Sequence, residues 1–440
     1  MKPISYLYGK AALLSSGRIS SVLKRTAPET ARLRKALLAG YEDDRASISL
    51  PGDEALLKRV GAFIGKKQKL DPAYIVVVGI GGSNLGTIAV QEAVFGKLCN
   101  HITPKRRTLY ADTVDSDAMR QIRVVIEPVL KQGREVLVVI ISKSGGTTET
   151  IANAEVLINL VKRYKGGSHA ENIVAITDEG SKLHHFADNK GYGVLTMPQK
   201  VGGRFSVFSA VGLFPLGMMG VSIESLLKGA RDMRNRCIAA SAGNPAAASA
   251  ALQYLHYTNG KNISDLFLFS SDLESVGKWY RQLMGESVGK EHDRRGKKVN
   301  CGITPTVSIG TTDLHSMAQL YLGGPYDKFT TFVSVGQNNS SVNVPVMKEY
   351  DELVENIQGI PLAEVMNAIL QGVKIDFQKG KRPYAEILLP DKSAYSIGQL
   401  LQFKMIEMMY LGHLLGVNPF DQPNVEAYKV EVKRILGNEG

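Results

Sequence analysis

The chain has 440 residues, 44% of them hydrophobic and 22% charged, and its 53 Lys and Arg against 42 Asp and Glu give a net charge of +11. This composition is typical of a soluble globular protein and excludes fibrous and disulfide-stapled proteins, while the length predicts roughly two or three domains. Three widely separated cysteines, Cys99, Cys237 and Cys301, give no signal of a disulfide framework or a zinc site and fit a reducing compartment. Because residues 1–21 lack the apolar core of a signal peptide, we expect a cytoplasmic protein.

The excess positive charge is spread along the chain. Its densest run, from Lys290 to Lys298, is interrupted by Glu291 and Asp293, which is typical of a solvated loop and argues against nucleic-acid binding. We expect the charge to attract small anionic substrates instead. The uncharged segment 205–223 is long enough to cross a bilayer but contains proline and polar residues, so we predict a buried helix and no membrane span.

Short β-branched runs alternate with helical patterns along the chain. The predicted strands of the first half are 74–80, 108–112, 136–141, 172–177 and 193–197, with helical patterns such as 149–163 between them. A looser second series, 263–270, 306–310, 329–335 and 385–389, follows a stretch of small residues at 239–251. Strands buried on both faces that alternate with helices predict an α/β fold with parallel, doubly wound sheets.

This alternation also predicts how the chain is divided. We expect an N-terminal helical segment at 1–52, a first α/β domain at 53–220, a helical connection at 221–255, a second α/β domain at 256–395 and C-terminal helices at 396–440. In open parallel sheets, ligands bind beyond the carboxyl ends of the strands. We therefore expect the site at the loops that follow Ile80, Ile141 and Gly310.

The first of these loops, Gly79-Ile80-Gly81-Gly82-Ser83-Asn84-Leu85-Gly86, is rich in glycine, which allows its backbone to approach an anion closely. It departs from the dinucleotide-binding pattern because Asn84 stands at the third glycine position, and from the P-loop because Thr87 stands where Lys is required. These departures argue against a nicotinamide or ATP cofactor. A tight turn without a ligand is the alternative for this loop.

The second loop, Ser142 to Thr150, follows a predicted strand and opens a helix. Its hydroxyl groups and the free amides of the first helical turn favour a phosphate monoester, since the helix dipole places partial positive charge there. Ser and Thr also serve as ordinary helix caps, which is the alternative. The loop has more hydroxyl residues than one cap requires, so we favour phosphate binding.

The segment Gly285-Glu286-Ser287-Val288-Gly289 matches the nucleophile elbow of serine hydrolases, but that motif requires a preceding strand and this segment has helical spacing. The carboxylate of Glu286 remains of interest because two glycines flank it closely. Glu274 lies in a similar sequence earlier on the same helical stretch, and the two glutamates face different directions on that helix. The residues alone leave open which of them serves a site.

Three further candidates are single residues. His315 follows a predicted strand, where an imidazole can act as acid or base, although an isolated histidine is more often structural. Arg204 is a lone charge at the start of the uncharged segment, and an ordinary ion pair is the alternative. Lys429 lies about one and a half turns into a predicted helix, where a solvated face is the alternative.

Taken together, these segments resemble the glucose-6-phosphate isomerase family over residues 70–430. The resemblance rests on five motifs in the same order: Gly79 to Gly86, Ser142 to Thr150, Gly202 to Ser206, Gln282 to Lys290, and the pair Gly310 to Ser316 with Asp421 to Lys429. It implies two sugar-isomerase (SIS) domains of parallel α/β type and a homodimer whose sites draw on both subunits. The implied reaction is the interconversion of D-glucose 6-phosphate and D-fructose 6-phosphate in glycolysis and gluconeogenesis.

The resemblance also implies a role for each candidate. Ser142, Lys143, Ser144, Thr147 and Thr150 would surround the phosphate, Gly82 and Ser83 would lie beside the sugar, and Gln282 and Gln422 would bind sugar oxygens. Glu286 would be the base, Arg204 would stabilise the cis-enediolate intermediate, and His315 of the neighbouring subunit would open the ring with the help of Lys429. No metal or organic cofactor is implied.

Two alternatives stay open beside this resemblance. A bifunctional isomerase would also accept mannose 6-phosphate, and no residue excludes it. A non-catalytic sugar-phosphate sensor could discard Glu286, Arg204 and His315, yet all three are present. The family usually has Gly where this chain has Asn424, and we expect little effect because Asn tolerates a left-handed backbone.

Overall fold

The computed structural model describes residues 2–102, 107–239 and 243–437. Its strands are β1 (Ser5–Leu7), β2 (Tyr74–Val78), β3 (Arg107–Ala111), β4 (Val136–Ile141), β5 (Ile173–Asp178), β6 (Gly193–Met197), β7 (Ile263–Leu268), β8 (Lys290–His292), β9 (Lys298–Cys301), β10 (Thr304–Ile309), β11 (Lys328–Val335) and β12 (Tyr384–Leu389). Its α-helices are α1 (Ser16–Arg25), α2 (Ala27–Ala39), α3 (Glu54–Gln68), α4 (Leu85–Phe95), α5 (Cys99–Ile102), α6 (Ser116–Lys131), α7 (Thr148–Lys165), α8 (Lys182–Asn189), α9 (Ala210–Met219), α10 (Ile223–Cys237), α11 (Pro245–Thr258), α12 (Glu274–Val288), α13 (Ala318–Gly323), α14 (Leu362–Lys379), α15 (Ala394–Leu415) and α16 (Asn424–Leu436). Parts of four predicted segments, at residues 1, 103–106, 240–242 and 438–440, lie outside the described residues.

The first sheet has the strand order β3-β2-β4-β5-β6, and its neighbouring strands are parallel. Its central strand β4 is buried at every residue, as expected where helices cover both faces of a parallel sheet. The strands predicted for the first half are confirmed, with small differences at their ends. β2 stops at Val78, before the predicted Ile80, because the chain turns into the glycine loop, where Gly81 has a φ of +60°.

The second sheet has the strand order β1-β12-β11-β7-β10. Strands β12, β11, β7 and β10 are parallel, which confirms the second predicted series. Strand β1 is antiparallel to β12, with Ser5 opposite Leu388. The sequence predicts mainly helices for the N-terminal segment, and β1 escapes that prediction because three residues are too few to show an alternating pattern.

Strands β8 and β9 form a separate antiparallel pair in which Lys290 lies opposite Cys301. The sequence predicts a solvated loop for the run from Lys290 to Lys298. That prediction is wrong at both ends of the run, which lie in β8 and β9, and Lys290 is also buried. The charged residues around Lys290 in the sequence favour an exposed position for it. Only its tertiary contacts distinguish it from the exposed residues that follow.

Helix α9 is buried along almost its whole length, as predicted for the uncharged segment. In the part of the chain that the structure describes, no helix is long and apolar enough to cross a membrane.

Helix α12 packs against α4, which follows the glycine loop, and against β10 and α15. It therefore spans from the second sheet to the edge of the first.

The sequence of α12 explains its orientation. Val276, Trp279 and Leu283 recur at helical spacing and are buried against the core. Gln282 and Glu286, one turn apart, line the cavity at the carboxyl edge of the first sheet instead. An amphipathic helix fixed by its apolar face thus carries a carboxylate to the loops of the other sheet.

Candidate active site

A cavity of about 630 Å³ opens at the carboxyl edge of the first sheet. It brings together most of the predicted site residues from five separate segments of the chain, namely Gly82, Ser83, Lys143, Ser144, Thr147, Arg204, Gln282, Glu286, Gln422 and Lys429. Ser142 and Thr150 are buried behind the cavity wall. His315 does not line this cavity.

The glycine loop contacts the turn that carries Arg204. A Cβ atom on Gly82 would lie 2.2 Å from the carbonyl carbon of Gly203, so only glycine permits this approach. A Cβ atom on Gly81 would lie 2.9 Å from Gln282 Nε2, and its positive φ also favours glycine. These glycines therefore allow the first loop to pack against Arg204 and α12. This packing accounts for the glycines in the loop without a bound dinucleotide.

The loop from Ser142 to Thr150 has the geometry of an anion site. Gly145 has a φ of +70° and turns the chain, and Thr147, the residue before α7, makes no side-chain capping bond. The amides of the first helical turn have no intrahelical acceptor in any helix, and here the Thr147 side chain does not replace one. The Ser142 hydroxyl lies 3.0 Å from that of Thr147, and the buried Thr150 hydroxyl has no partner among the described residues. Amides, hydroxyls and helix dipole thus offer donors to a phosphate.

Lys143 and Asp178 add opposite charges to the wall of this cavity. Lys143 Nζ donates to the carbonyl oxygen of Gln199 at 2.5 Å. Burial raises the pKa of Asp178, and the positive charge of Lys143 opposes this shift. Asp178 is absent from the site predicted from the sequence. Its position at the carboxyl end of β5 was the available signal, because parallel strands end at one edge of the sheet.

Both carboxylate oxygens of Glu286 are held. Gln282 Nε2 donates to Oε1 at 2.9 Å, and Arg204 Nη1 donates to Oε2 at 3.1 Å. The side chain is 33% exposed, and this exposed part faces the cavity. Glu274, at the other end of α12, pairs with Lys278 at 2.8 Å and also with Lys97, away from the cavity lining. The geometry therefore distinguishes two glutamates that the residue pattern leaves equivalent.

Arg204 is buried, with only 3% of its surface exposed, and each of its N–H groups has an acceptor. Besides Glu286, the acceptors are Ser287 Oγ at 2.9 Å, Gln422 Oε1 at 2.8 Å, Pro419 O at 2.6 Å and Asp421 O at 3.2 Å. Burial lowers the pKa of Arg204, and the neighbouring Glu286 carboxylate counteracts this. A guanidinium stays charged through such a shift, so the site contains a permanent, fixed positive charge.

Three residues that make hydrogen bonds in this site have no role predicted from the sequence. Ser287 and Asp421 accept hydrogen bonds from Arg204, and Lys290 donates to the carbonyl oxygen of Glu286 at 2.8 Å. Ser287 is adjacent to Glu286 and Lys290 is one turn beyond it. That spacing was a signal, although it does not separate a buried lysine from an exposed one.

Lys429 lines the cavity from α16, where its Nζ donates to Glu426 Oε1 at 2.7 Å. The helix predicted around it is confirmed. Asn424 is the first residue of α16, and its side chain donates to Glu291 Oε2 at 3.0 Å. Asn424 is not among the residues with positive φ, so this position makes no use of the tolerance of Asn for a left-handed backbone. Helix α16 starts at this position and uses the amide group as a contact to the β8–β9 pair.

His315 is exposed and follows β10 through the short 3-10 turn Thr312–Leu314. Asp313 holds this turn, because its carboxylate accepts from the Ile309 amide and from the Ser316 hydroxyl, both at 2.7 Å. No histidine lines the cavity in the described part of one chain. The described residues also contain no cluster of His, Cys, Asp or Glu that could hold a metal ion.

The pattern of the phosphoglucose isomerase family matches residues 57–439. A glucose-6-phosphate isomerase from Carboxydothermus hydrogenoformans is 35% identical over 89% of this chain and 84% of that protein. A second one, from Rubrobacter xylanophilus, is 33% identical over 100% of this chain and 99% of that protein.

Solved structures agree with this match. A hypothetical protein from Thermus thermophilus has a TM-score of 0.85 at 29% identity and covers 98% of this chain and 99% of its own. A glucose-6-phosphate isomerase from Chlamydia trachomatis has a TM-score of 0.83 over 99% of this chain and 89% of its own, and at 22% identity it supports the fold alone. The predicted class, two SIS-type α/β units, is confirmed. The chain belongs to the phosphoglucose isomerase family.

Proposed function

We propose that this chain interconverts D-glucose 6-phosphate and D-fructose 6-phosphate, with Glu286 moving the proton. One observation carries the proposal: a carboxylate held by Arg204 and Gln282 faces the same cavity as a loop that offers hydroxyl groups and the free amides of a helix start. The names of the curated relatives give the same reaction for those proteins. An anion site and a base that share one cavity suit a substrate with a phosphate at one end and an acidic C–H bond at the other.

The phosphate would bind at the start of α7. Ser142, Lys143, Ser144, Thr147 and Thr150 would surround it, while Gly82, Ser83, Gln282 and Gln422 would bind the sugar. Dianionic phosphate gains from the free amides and from the helix dipole, which contributes about 0.3–1 kcal/mol in exposed sites. This anchor fixes the distance from the phosphate to C1 and C2 of the open chain.

Glu286 would then take the proton from C2 and return it to C1. The electrons of the broken C–H bond form the C1–C2 double bond of a cis-enediolate, and a proton passes from the C2 hydroxyl to the C1 oxygen. Substrate and product have the same atoms and electrons, so the reaction requires no external oxidant or reductant, and we assign no cofactor. Arg204 would stabilise the negative charge of the intermediate, because a guanidinium remains charged at any working pH.

Ring opening requires a group that exchanges a proton near neutral pH, and His315 is the residue that we assign to it. His315 lies outside the cavity of its own chain. We therefore propose a homodimer in which each site receives His315 from the neighbouring subunit, with Lys429 assisting. We also propose a cytoplasmic location and the domain boundaries predicted above, at 1–52, 53–220, 221–255, 256–395 and 396–440.

The direct test is a coupled assay of the purified protein with fructose 6-phosphate and mannose 6-phosphate in parallel. We expect rapid formation of glucose 6-phosphate from fructose 6-phosphate, without added metal and unchanged by a chelator. Mannose 6-phosphate differs from glucose 6-phosphate only at C2 and would give the same enediolate. Its turnover would identify the bifunctional enzyme, and binding without turnover of either sugar would support the sensor instead.

The shared site predicts complementation between two inactive variants. Glu286→Gln and His315→Ala homodimers are each expected to be inactive. After subunit exchange, a heterodimer contains one site with an intact Glu286 and the partner's intact histidine. The mixture should regain up to about a quarter of the wild-type activity, since half of the dimers are mixed and half of their sites are intact. Lack of recovery, with exchange confirmed by mass spectrometry, would contradict the shared site.

A further inference from the structure

Lys290 is a buried cation that none of the proposed catalytic roles uses. Its side chain is 4% exposed, and its Nζ donates to Glu286 O at 2.8 Å and to Asp421 Oδ1 at 3.0 Å. The carbonyl oxygen of Asp421 is the third acceptor. An ammonium group has three donors, so every donor of this buried lysine is used.

Such a group is costly to bury unless it is fully hydrogen-bonded. Burial lowers the pKa of Lys290, while Asp421 opposes the shift and the nearby charge of Arg204 adds to it. Two cations and two carboxylates thus lie close together at the wall of the cavity, namely Arg204, Lys290, Glu286 and Asp421. This arrangement joins α12 to the chain around Asp421.

The chain around Asp421, which Lys290 joins to α12, also provides hydrogen-bond acceptors for Arg204. The carbonyl oxygen of Asp421 accepts from Lys290 and also from Arg204 Nη2, at 3.2 Å. The carbonyl oxygen of Pro419 and the side chain of Gln422 complete the acceptors from this segment, at 2.6 Å and 2.8 Å. The other end of the Lys290 link is the main chain of Glu286 itself. Lys290 therefore connects the backbone of the base to the acceptors that orient the guanidinium.

We propose that Lys290 is a positioning residue for proton transfer, which fixes the segment 418–423 and thereby the orientation of Arg204 toward Glu286. The proposal rests on the proposed roles of these two residues. Lys290 does not line the phosphate-binding cavity. Its loss should therefore disturb the geometry of the reacting groups and leave the phosphate anchor intact.

The test compares Lys290→Met with the wild-type enzyme. A misplacement of about 1 Å costs on the order of 100-fold in rate, so we expect kcat to fall roughly 10- to 100-fold. KM for fructose 6-phosphate, and the inhibition constant of sorbitol 6-phosphate, an open-chain hexitol phosphate without a carbonyl group, should change less than about threefold. The reason is that the proposed phosphate loop, Ser142 to Thr150, is untouched. Lys298→Met is the matched control: Lys298 lies in β9, is exposed and pairs with Glu291, and its replacement should leave kcat unchanged.

A double-mutant cycle distinguishes positioning from a general structural role. If Lys290 acts through Arg204, Lys290→Met should lower kcat less than about threefold in the Arg204→Ala background. An equal loss in both backgrounds would overturn the proposal, as would an unchanged kcat in Lys290→Met or a loss confined to KM. Absence of isomerase activity in the wild-type chain would instead refute the proposed function.

Thermal unfolding and circular dichroism show whether Lys290→Met is folded. If it is not, Asp421→Ala tests the same link, because it removes the carboxylate, one of the two acceptors that Asp421 provides for Lys290, and this carboxylate is half exposed. This variant should lower kcat about three- to tenfold in the wild-type background and have no effect with Arg204→Ala. An unchanged kcat in Asp421→Ala, or an equal loss in both backgrounds, would overturn the proposal.

Discussion

Replacing Glu286 with glutamine is expected to lower the kcat of isomerisation by about 10²–10⁴-fold, the usual contribution of a general base. Glutamine has nearly the same shape and retains an oxygen that can accept a hydrogen bond from Arg204. It has no basic oxygen that could take the C2 proton. Binding of sorbitol 6-phosphate, measured by calorimetry, should remain within about threefold of wild type, because the phosphate loop does not depend on this side chain.

Glu274→Gln is the matched control for this experiment. Glu274 lies on the same helix α12, in a similar sequence, and pairs with Lys97 and Lys278 instead of lining the cavity. We expect its replacement to leave kcat and KM close to wild type. Full turnover in Glu286→Gln together with loss in Glu274→Gln would reverse the assignment of the base.

The second large effect is expected for Arg204→Ala, which should lower kcat by about 10²–10³-fold, the range found when one stabilising donor of an intermediate is removed. KM should change much less, since the positive charge matters most when the enediolate forms. The substitution also frees one oxygen of Glu286 and leaves acceptors at Pro419 and Gln422 without their donor. Steady-state kinetics with fructose 6-phosphate, alongside thermal unfolding, separates the catalytic effect from a loss of folded protein.

Arg281→Ala controls for the loss of an arginine near the site. Arg281 lies on α12 next to Gln282, but its side chain is exposed and it does not line the cavity. We expect kinetics like those of the wild type. If Arg204→Ala raised KM and left kcat unchanged, Arg204 would serve substrate binding and the proposed stabilisation of the intermediate would be wrong.

The fold followed from local patterns to a large extent. Runs such as Val136 to Ile141 are fully apolar because both faces of a parallel strand are covered, and this signal depends only on neighbouring residues. Strand β1 was missed since its three residues pair with β12, which lies more than 300 positions away in the chain. The buried Lys290 was missed for a similar reason: its acceptors at Asp421 are remote in the sequence.

The chemistry of the site also depends partly on local sequence patterns and partly on long-range packing. The amides and hydroxyls from Ser142 to Thr150 belong to one loop and one helix start, so the prediction of an anion site there uses only residues that are close in the chain. Whether Glu286 or Glu274 faces that loop depends on how α12 packs between α4, β10 and α15. The acceptors of Arg204 come from α12 and from the segment 418–423, and only folding brings these together. Side-chain types and short spacings indicate which chemistry is possible, whereas long-range packing determines which groups come into contact.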